Sequence, residues 1–267
     1  MSAAQRPLIL TYHSISDGDS PLKIAPKLFA QQMEWLHANV HTVPLGEIVA
    51  AIRAGKTLPY RTVVLTFDDG FRDFYLNAAP VLRRLKLPCT VFLASGYTGR
   101  TNAWPGQPAW VKKEELLSWQ EVSELDDDGF TFGAHTVNHP DLTALPISLA
   151  EREIVASKAQ IEEYLGKPVE FFAYPYGRWN ASLRELVGQH YRGACATAAA
   201  AVGPNSDLLA LPRADVNYLR HPACFHRAFT SSFSAYLFAR RLVRRLRGQP
   251  EGFISNLRSV PPPAQNM

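Results

Sequence analysis

No stretch of this 267-residue chain approaches the roughly 18 consecutive apolar residues that a membrane span requires. The opening, Met1 to Pro7, has no apolar core of the kind a secretory leader carries. Neither a span nor a leader is supported, and the expected place of action is the cytoplasm. Cysteine is scarce: Cys89, Cys195 and Cys224 are the only three, with no Cys-x-x-Cys spacing. That pattern is expected of reduced, buried thiols in a cytoplasmic protein. Nothing interleaves aromatic and basic residues as an RNA platform or forms a DNA-reading motif, so the net charge of +4 is no argument for a nucleic-acid partner. What the chain does have is 46% hydrophobic residues, enough to bury a sizeable core. Its length fits one large domain or two small ones, and α/β barrels often reach it as a single domain.

Three stretches carry the chemistry. Thr62 to Phe67 reads as a buried strand ending in Asp68-Asp69-Gly70. Side chains alternate along a strand, so both carboxylates can serve one site only if the strand stops there and Gly70 lets the chain turn. An Asp-Gly turn with no function accounts for the same residues. Phe130 to Gly133 reads as a second strand, and it delivers His135 and His139 in His-Thr-Val-Asn-His. On a helical turn positions i and i+4 share a face, and two converging imidazoles with a carboxylate make a three-ligand catalytic metal site. Two solvated loop histidines are the plain alternative. The third stretch, Phe171 to Gly177, is an apolar strand that stops at Tyr174-Pro175-Tyr176-Gly177, either a simple aromatic turn or part of the same site.

Elsewhere the chain alternates strand and helix. Leu8 to Thr11, Cys89 to Ala94, Val169 to Tyr174 and Tyr191 to Ala196 read as further strands. Helical periodicity covers Pro26 to Asn39, Leu45 to Ala54, Phe71 to Leu85 with a kink at Pro80, Trp119 to Asp128 and Ala181 to His190. Ser148 to Leu165 is a further amphipathic helix, with Ser148 and Glu151 at capping-box spacing and Gly166 as its stop. Such alternation predicts an α/β fold with a parallel sheet, most simply a closed or distorted barrel whose site lies at the C-terminal strand ends. Gly96 to Trp110 is long for a connection, and Trp104 and Trp110 either stack on sugar rings or pin this loop to the surface. From Phe229 a basic amphipathic segment runs to Arg247. It either lies on an anionic membrane, which would put the protein at the inner face, or is a solvated capping helix. Residues 248–267, with Pro261-Pro262-Pro263, read as a flexible tail.

Thr66-Phe67-Asp68-Asp69-Gly70, His135-Thr136-Val137-Asn138-His139 and Tyr174-Pro175-Tyr176-Gly177, in this order and each at a strand end, resemble three motifs of the polysaccharide deacetylases of carbohydrate esterase family 4, the NodB homology group. The resemblance spans about residues 7–220 and implies a distorted (β/α) barrel of about seven parallel strands over residues 1–228, followed by the basic segment 229–247 and the tail. It implies removal of N-acetyl groups from an amino sugar in a polysaccharide, an oligosaccharide or a lipid-linked glycan precursor. O-acetyl ester hydrolysis, cleavage of another small amide, and carbohydrate binding without catalysis stay open. It implies Asp69, His135 and His139 as ligands of a divalent metal, most simply zinc, with cobalt, nickel or iron as alternatives. Asp68 takes the general-base role, the Tyr176 amide the oxyanion donor role, and Tyr174, Pro175 and Tyr176 line the substrate. Two departures matter. The family's third motif usually carries an arginine where Ala173 stands, and Arg213 is the expected substitute. The general acid usually comes from a late Leu-x-His, here Leu219-Arg220-His221. His13 in Thr11-Tyr12-His13-Ser14 instead resembles the early histidine of the poly-N-acetylglucosamine deacetylases, and is expected to be the acid ahead of His221 or His226.

Overall fold

In the computed structural model, residues 7–57, 59, 61–107, 111–197 and 200–230 are described. The basic segment from residue 231 on, the tail and Trp110 lie outside them. A strand apolar at nearly every position has to be covered on both faces, and parallel sheets achieve this by placing helices outside and side chains within. The strand β3 (Thr62–Phe67) is buried at every residue, as are β1 (Leu8–Tyr12) and β4 (Cys89–Leu93). With β2 (His41–Thr42), β5 (Thr131–Ala134), β6 (Phe171–Ala173), β7 (Gly193–Cys195) and β8 (Ala214–Asp215) they form one sheet. Its order is β7-β6-β5-β4-β3-β1-β8, with β2 beside the start of β3. Every pairing is parallel, and β1 lies in register with β3 from Leu8 opposite Val63 to Tyr12 opposite Phe67.

The sheet curls until one short segment touches both of its edges. Leu211 bridges Cys195 of β7, and β8, three residues on, pairs with Leu10 and Thr11 of β1. The barrel is thus distorted at this seam. Its helices are α1 (Pro26–Asn39), α2 (Leu45–Arg53), α3 (Ala79–Leu85), α4 (Trp119–Asp127), α5 (Ile147–Leu165), α6 (Ala181–His190) and α7 (Pro222–Arg227). Alternation divides each strand. Val63, Leu65 and Phe67 join the cluster that includes Phe29, Met33 and Leu36 of α1. Val64 joins Ile9, Phe92, Phe171 and Cys195 together with Leu45, Ile48 and Val49 of α2. Val64, Thr66 and Asp68 therefore share the inner face, so the barrel core runs directly into the first site carboxylate.

Three expectations change. The helix expected over 71–85 divides into a π-turn, Phe74–Ala78, and α3. Pro80 has no N–H to continue the i−4 ladder, and Ala79 N–H donates instead to Phe74 O, five residues back. The capping box is not on Ser148: Pro146 is the N-cap residue of α5, and the box forms one helix earlier, where Ser118 Oγ accepts from Glu121 N–H and Glu121 accepts from Ser118 N–H. Gly166 does end α5, left-handed at φ +66°. Finally, Cys89 and Cys195 are buried but Cys224, on α7, is exposed.

Candidate active site

The turn after β3 places Asp68 and Asp69 differently because the chain goes left-handed at once. Asp69 has φ +72° and Gly70 φ +73°. A Cβ at position 70 would stand 2.7 Å from Leu93 Cδ2, so only glycine fits both the backbone and the space. Asp68 continues the inner-face alternation. Arg213, immediately before β8, donates from Nη1 and Nη2 to the two Asp68 oxygens, both at 2.7 Å. The same guanidinium donates to Thr66 Oγ1 and Ala196 O, each at 3.2 Å, and lies over the Phe92 ring. A planar fork matched to a carboxylate fixes orientation as well as charge.

Asp69 faces the histidines. Its Oδ1 is 3.6 Å from His135 Nε2 and 3.3 Å from His139 Nε2, and the two imidazole nitrogens are 3.2 Å apart. They converge from an irregular loop rather than a helical turn: Thr136 and His139 are left-handed, at φ +69° and +53°. Thr136 Oγ1 accepts from His139 N–H, while Glu153 of α5 accepts from the N–H groups of Val137 and Asn138. His135 Nδ1 is 2.7 Å from the Ala173 carbonyl. A carbonyl only accepts, so Nδ1 carries the proton and Nε2 presents its lone pair to Asp69 and His139. Two donors each about 2.0–2.1 Å from a tetrahedral zinc stand roughly 3.3–3.4 Å apart. The three buried side chains fit a divalent metal ion in spacing, in tautomer and in donor chemistry.

Electrostatics follow from burial and pairing. Burial alone would raise the Asp68 carboxyl, but Arg213, together with His135 and His13, opposes it and the net shift is downward. Asp69 is likewise held well below the usual carboxylate range, burial being opposed by His139 and, beyond it, by His13 and His135. Burial, reinforced by His139, pushes His135 down to about 4, so it is neutral at pH 7. His13, one residue past β1, acts electrostatically on Asp68, Asp69 and Asp215. Asp215 went unremarked in the sequence. Burial raises its carboxyl, and His13 opposes that rise. The readable signal was Arg213-Ala214-Asp215: on a strand, positions two apart share a face.

The aromatic expectations divide. Tyr176 lies edge-on to His139, with ring centroids 4.7 Å apart, in a turn that is left-handed at φ +59°. Gly177 allows this turn, since a Cβ there would stand 1.7 Å from Thr197 Oγ1. Tyr174 and Pro175 are buried, and Tyr174 donates its hydroxyl to Leu209 O at 2.9 Å. Trp104 is only 3% exposed, packed on His139 and Tyr97. These contacts hold its loop against the His139 ring. His221 and His226 lie on or beside α7: His221 Nδ1 accepts from Ala223 N–H, and His226 stacks on Trp35.

The arrangement is that of a hydrolytic site at the C-terminal ends of barrel strands. Residues 55–191 match the family model described as polysaccharide deacetylase, and the chain belongs to that family. It is 30% identical over 183 residues to the poly-beta-1,6-N-acetyl-D-glucosamine N-deacetylase of Staphylococcus epidermidis, covering 62% of this chain and 59% of that protein. The chain thus spans less than two thirds of the length of this relative. Among solved structures, IcaB from Ammonifex degensii superposes with a TM-score of 0.70 at 26% identity, covering 84% of this chain and 96% of that one. Streptococcus pyogenes deacetylase PplD in complex with acetate gives 0.70 at 26%, covering 80% and 93%.

Proposed function

We propose that the protein is a metal-dependent hydrolase that removes N-acetyl groups from an N-acetylated amino sugar in a polysaccharide, oligosaccharide or glycan precursor. The observation that carries this reading is one juxtaposition: a buried Asp69–His135–His139 donor set beside an Asp68 carboxylate gripped at both oxygens by Arg213. A divalent metal held by Asp69, His135 and His139, zinc first and cobalt, nickel or iron otherwise, supplies a water acidified towards a pKa of about 7 and polarises the acetyl oxygen. Asp68, ionised at neutral pH, accepts a proton from the attacking water. Arg213 leaves each Asp68 oxygen a second lone pair for that purpose and prevents the carboxylate from rotating towards Asp69.

The Tyr176 N–H, in the left-handed turn after Pro175, is the donor for charge developing on the acetyl oxygen. A donor so placed contributes about 3–4 kcal/mol. The departing amine needs a proton, and His13, within electrostatic reach of both carboxylates, gives it. Asp215 stands within electrostatic reach of His13. The name of the Staphylococcus epidermidis relative supports a β-1,6-linked N-acetylglucosamine polymer as the first substrate to try.

The test is acetate release from N-acetylglucosamine oligomers and lipid-linked N-acetyl sugars, with protein stripped by chelator and reloaded with zinc or cobalt. Release restored by metal and abolished in Asp68→Asn is the expected result. Failure to bind any divalent metal refutes the reading, and release from O-acetyl esters alone changes the bond cleaved.

A further inference from the structure

The proton donor in this reading sits on a loop, not on a strand. β1 ends at Tyr12, and residues 13–25 connect it to α1. Such a loop places an imidazole reproducibly only if the peptides on both sides of it are tied down. The peptide before His13 is tied by the catalytic turn, since Asp68 N–H donates to Tyr12 O at 3.0 Å. The residues after it are tied by Asp73, whose Oδ2 accepts from Ser14 Oγ at 2.5 Å and whose Oδ1 accepts from Ile15 N–H at 2.8 Å. Asn77, one turn further along, donates from Nδ2 to Ile15 O at 2.8 Å. Both polar groups of the Ile15 backbone are thus taken by side chains of the segment that follows the two aspartates. The loop's own bonds, Ser14 N–H to Leu22 O and Ile24 N–H to Ser14 O, close it on itself but do not anchor it to the barrel.

We propose that Asp73, assisted by Asn77, is the positioning residue for His13. Its carboxylate fixes Ser14 and Ile15, and so sets where the imidazole stands against Asp68, Asp69 and Asp215. The inference rests on the reading of His13 as proton donor. Its consequence is that base, metal ligand and acid are placed by one ten-residue stretch, Asp68 to Asn77, and move as a unit. The π-turn belongs to the same device. It starts at Phe74, directly after Asp73, and carries Asn77, so the turn brings both side chains onto the loop.

A purely structural Asp73 would cost stability without touching chemistry. A positioning Asp73 would act through His13 alone. The experiment is a double-mutant cycle on full-length, metal-loaded protein with Asp73→Ala and His13→Ala, read as kcat, KM, bound metal and Tm. A displacement of about 1 Å at a reacting group costs up to about 100-fold. Asp73→Ala is therefore expected to lower kcat by about 10- to 100-fold, with KM within about twofold and metal stoichiometry unchanged. In the His13→Ala background the same substitution should leave kcat where it was. Asp73→Asn, which keeps an acceptor for Ile15 N–H, should recover part of the loss. If Asp73→Ala is too unstable to assay, Asn77→Ala loosens the same peptide from its other side and should show the same dependence on His13. Equal losses in both backgrounds, or a fall in Tm with kcat intact, overturn the positioning role while leaving His13 as the acid. Full activity in His13→Ala overturns the acid reading itself, and this inference with it.

Discussion

Arg213→Met should be the most destabilising single change at this site that removes no metal ligand. Arg213 and Asp68 have side chains 0% and 4% exposed, and the guanidinium contributes two of the carboxylate's hydrogen bonds. Deleting the arginine leaves a buried carboxylate with no countercharge, a loss of about 3–5 kcal/mol where one partner of a buried pair is removed. For a domain of this size each kcal/mol moves Tm by about 2–4 °C, so the midpoint should fall by roughly 6–20 °C. Arg213→Lys should fall less, because it keeps the charge but cannot match both oxygens. The informative variant is the double one. Asp68→Asn removes the charge that Arg213→Met strands, so the double variant should melt higher than Arg213→Met alone, although both are inactive. Differential scanning calorimetry at pH 7 on chelated protein reads all four proteins without interference from metal. A double variant no more stable than Arg213→Met would mean that the carboxylate was never stranded, and that the ion pair does not carry the site.

His135→Ala and Asp69→Ala should each lose metal and activity together, whereas Asp68→Asn keeps metal and stops turnover; elemental analysis beside acetate release checks this. Gly70→Ala should cost at least about 1–2 kcal/mol, because it puts a side chain in the left-handed region and against Leu93, and a thermal melt measures it. Burial holds His135 at about 4 against an ordinary 6.5, so the unfolded chain takes up this proton first. Chelated protein should therefore lose stability as pH falls from about 6.5 to about 4, and His135→Gln should flatten that part of the urea-midpoint profile. A profile unchanged by the substitution would mean that the imidazole is not buried neutral.

The long elements were legible because periodicity and burial agree over many residues. Thr62–Phe67, Pro26–Asn39 and Ala181–His190 form with the limits their patterns suggested. Two-residue strands leave no such signal, and neither β2 nor β8 was visible. That omission hid the seam of the barrel, and with it the face that Asp215 shares with Arg213. Ser148 and Ser118 each precede a glutamate by three residues, and the spacing alone does not say which serine caps. Pro146 decides it by entering α5 two residues early in an extended conformation. Local sequence left Trp104 open between stacking on a sugar and pinning its loop, and Tyr174 took its expected role from the resemblance. Their burial depends on His139, Tyr97 and Leu209, which come from other parts of the chain and enter no local pattern.

Six residues other than glycine have positive φ among the described ones, and four of them, Asp69, Thr136, His139 and Tyr176, belong to the site. Left-handed backbone costs an ordinary residue about 1–2 kcal/mol, so the arrangement persists only where surrounding contacts outweigh it. Each strained residue has such a contact beside it. Gly70 turns the chain away from Asp69 into a space closed by Leu93. Thr136 Oγ1 and Glu153 take three consecutive N–H groups of the histidine loop, those of Val137, Asn138 and His139. Gly177 lets the Tyr176 turn sit on Thr197. A metal ion attracts ligands wherever they are, but it cannot specify which aspartate binds it and which stays free. Here the backbone makes that choice. Asp68 stays on the strand's inner face in the grip of Arg213, and the left-handed step at Asp69 swings the neighbouring carboxylate towards the imidazoles. Two adjacent and chemically identical side chains thereby acquire different environments before any ligand arrives.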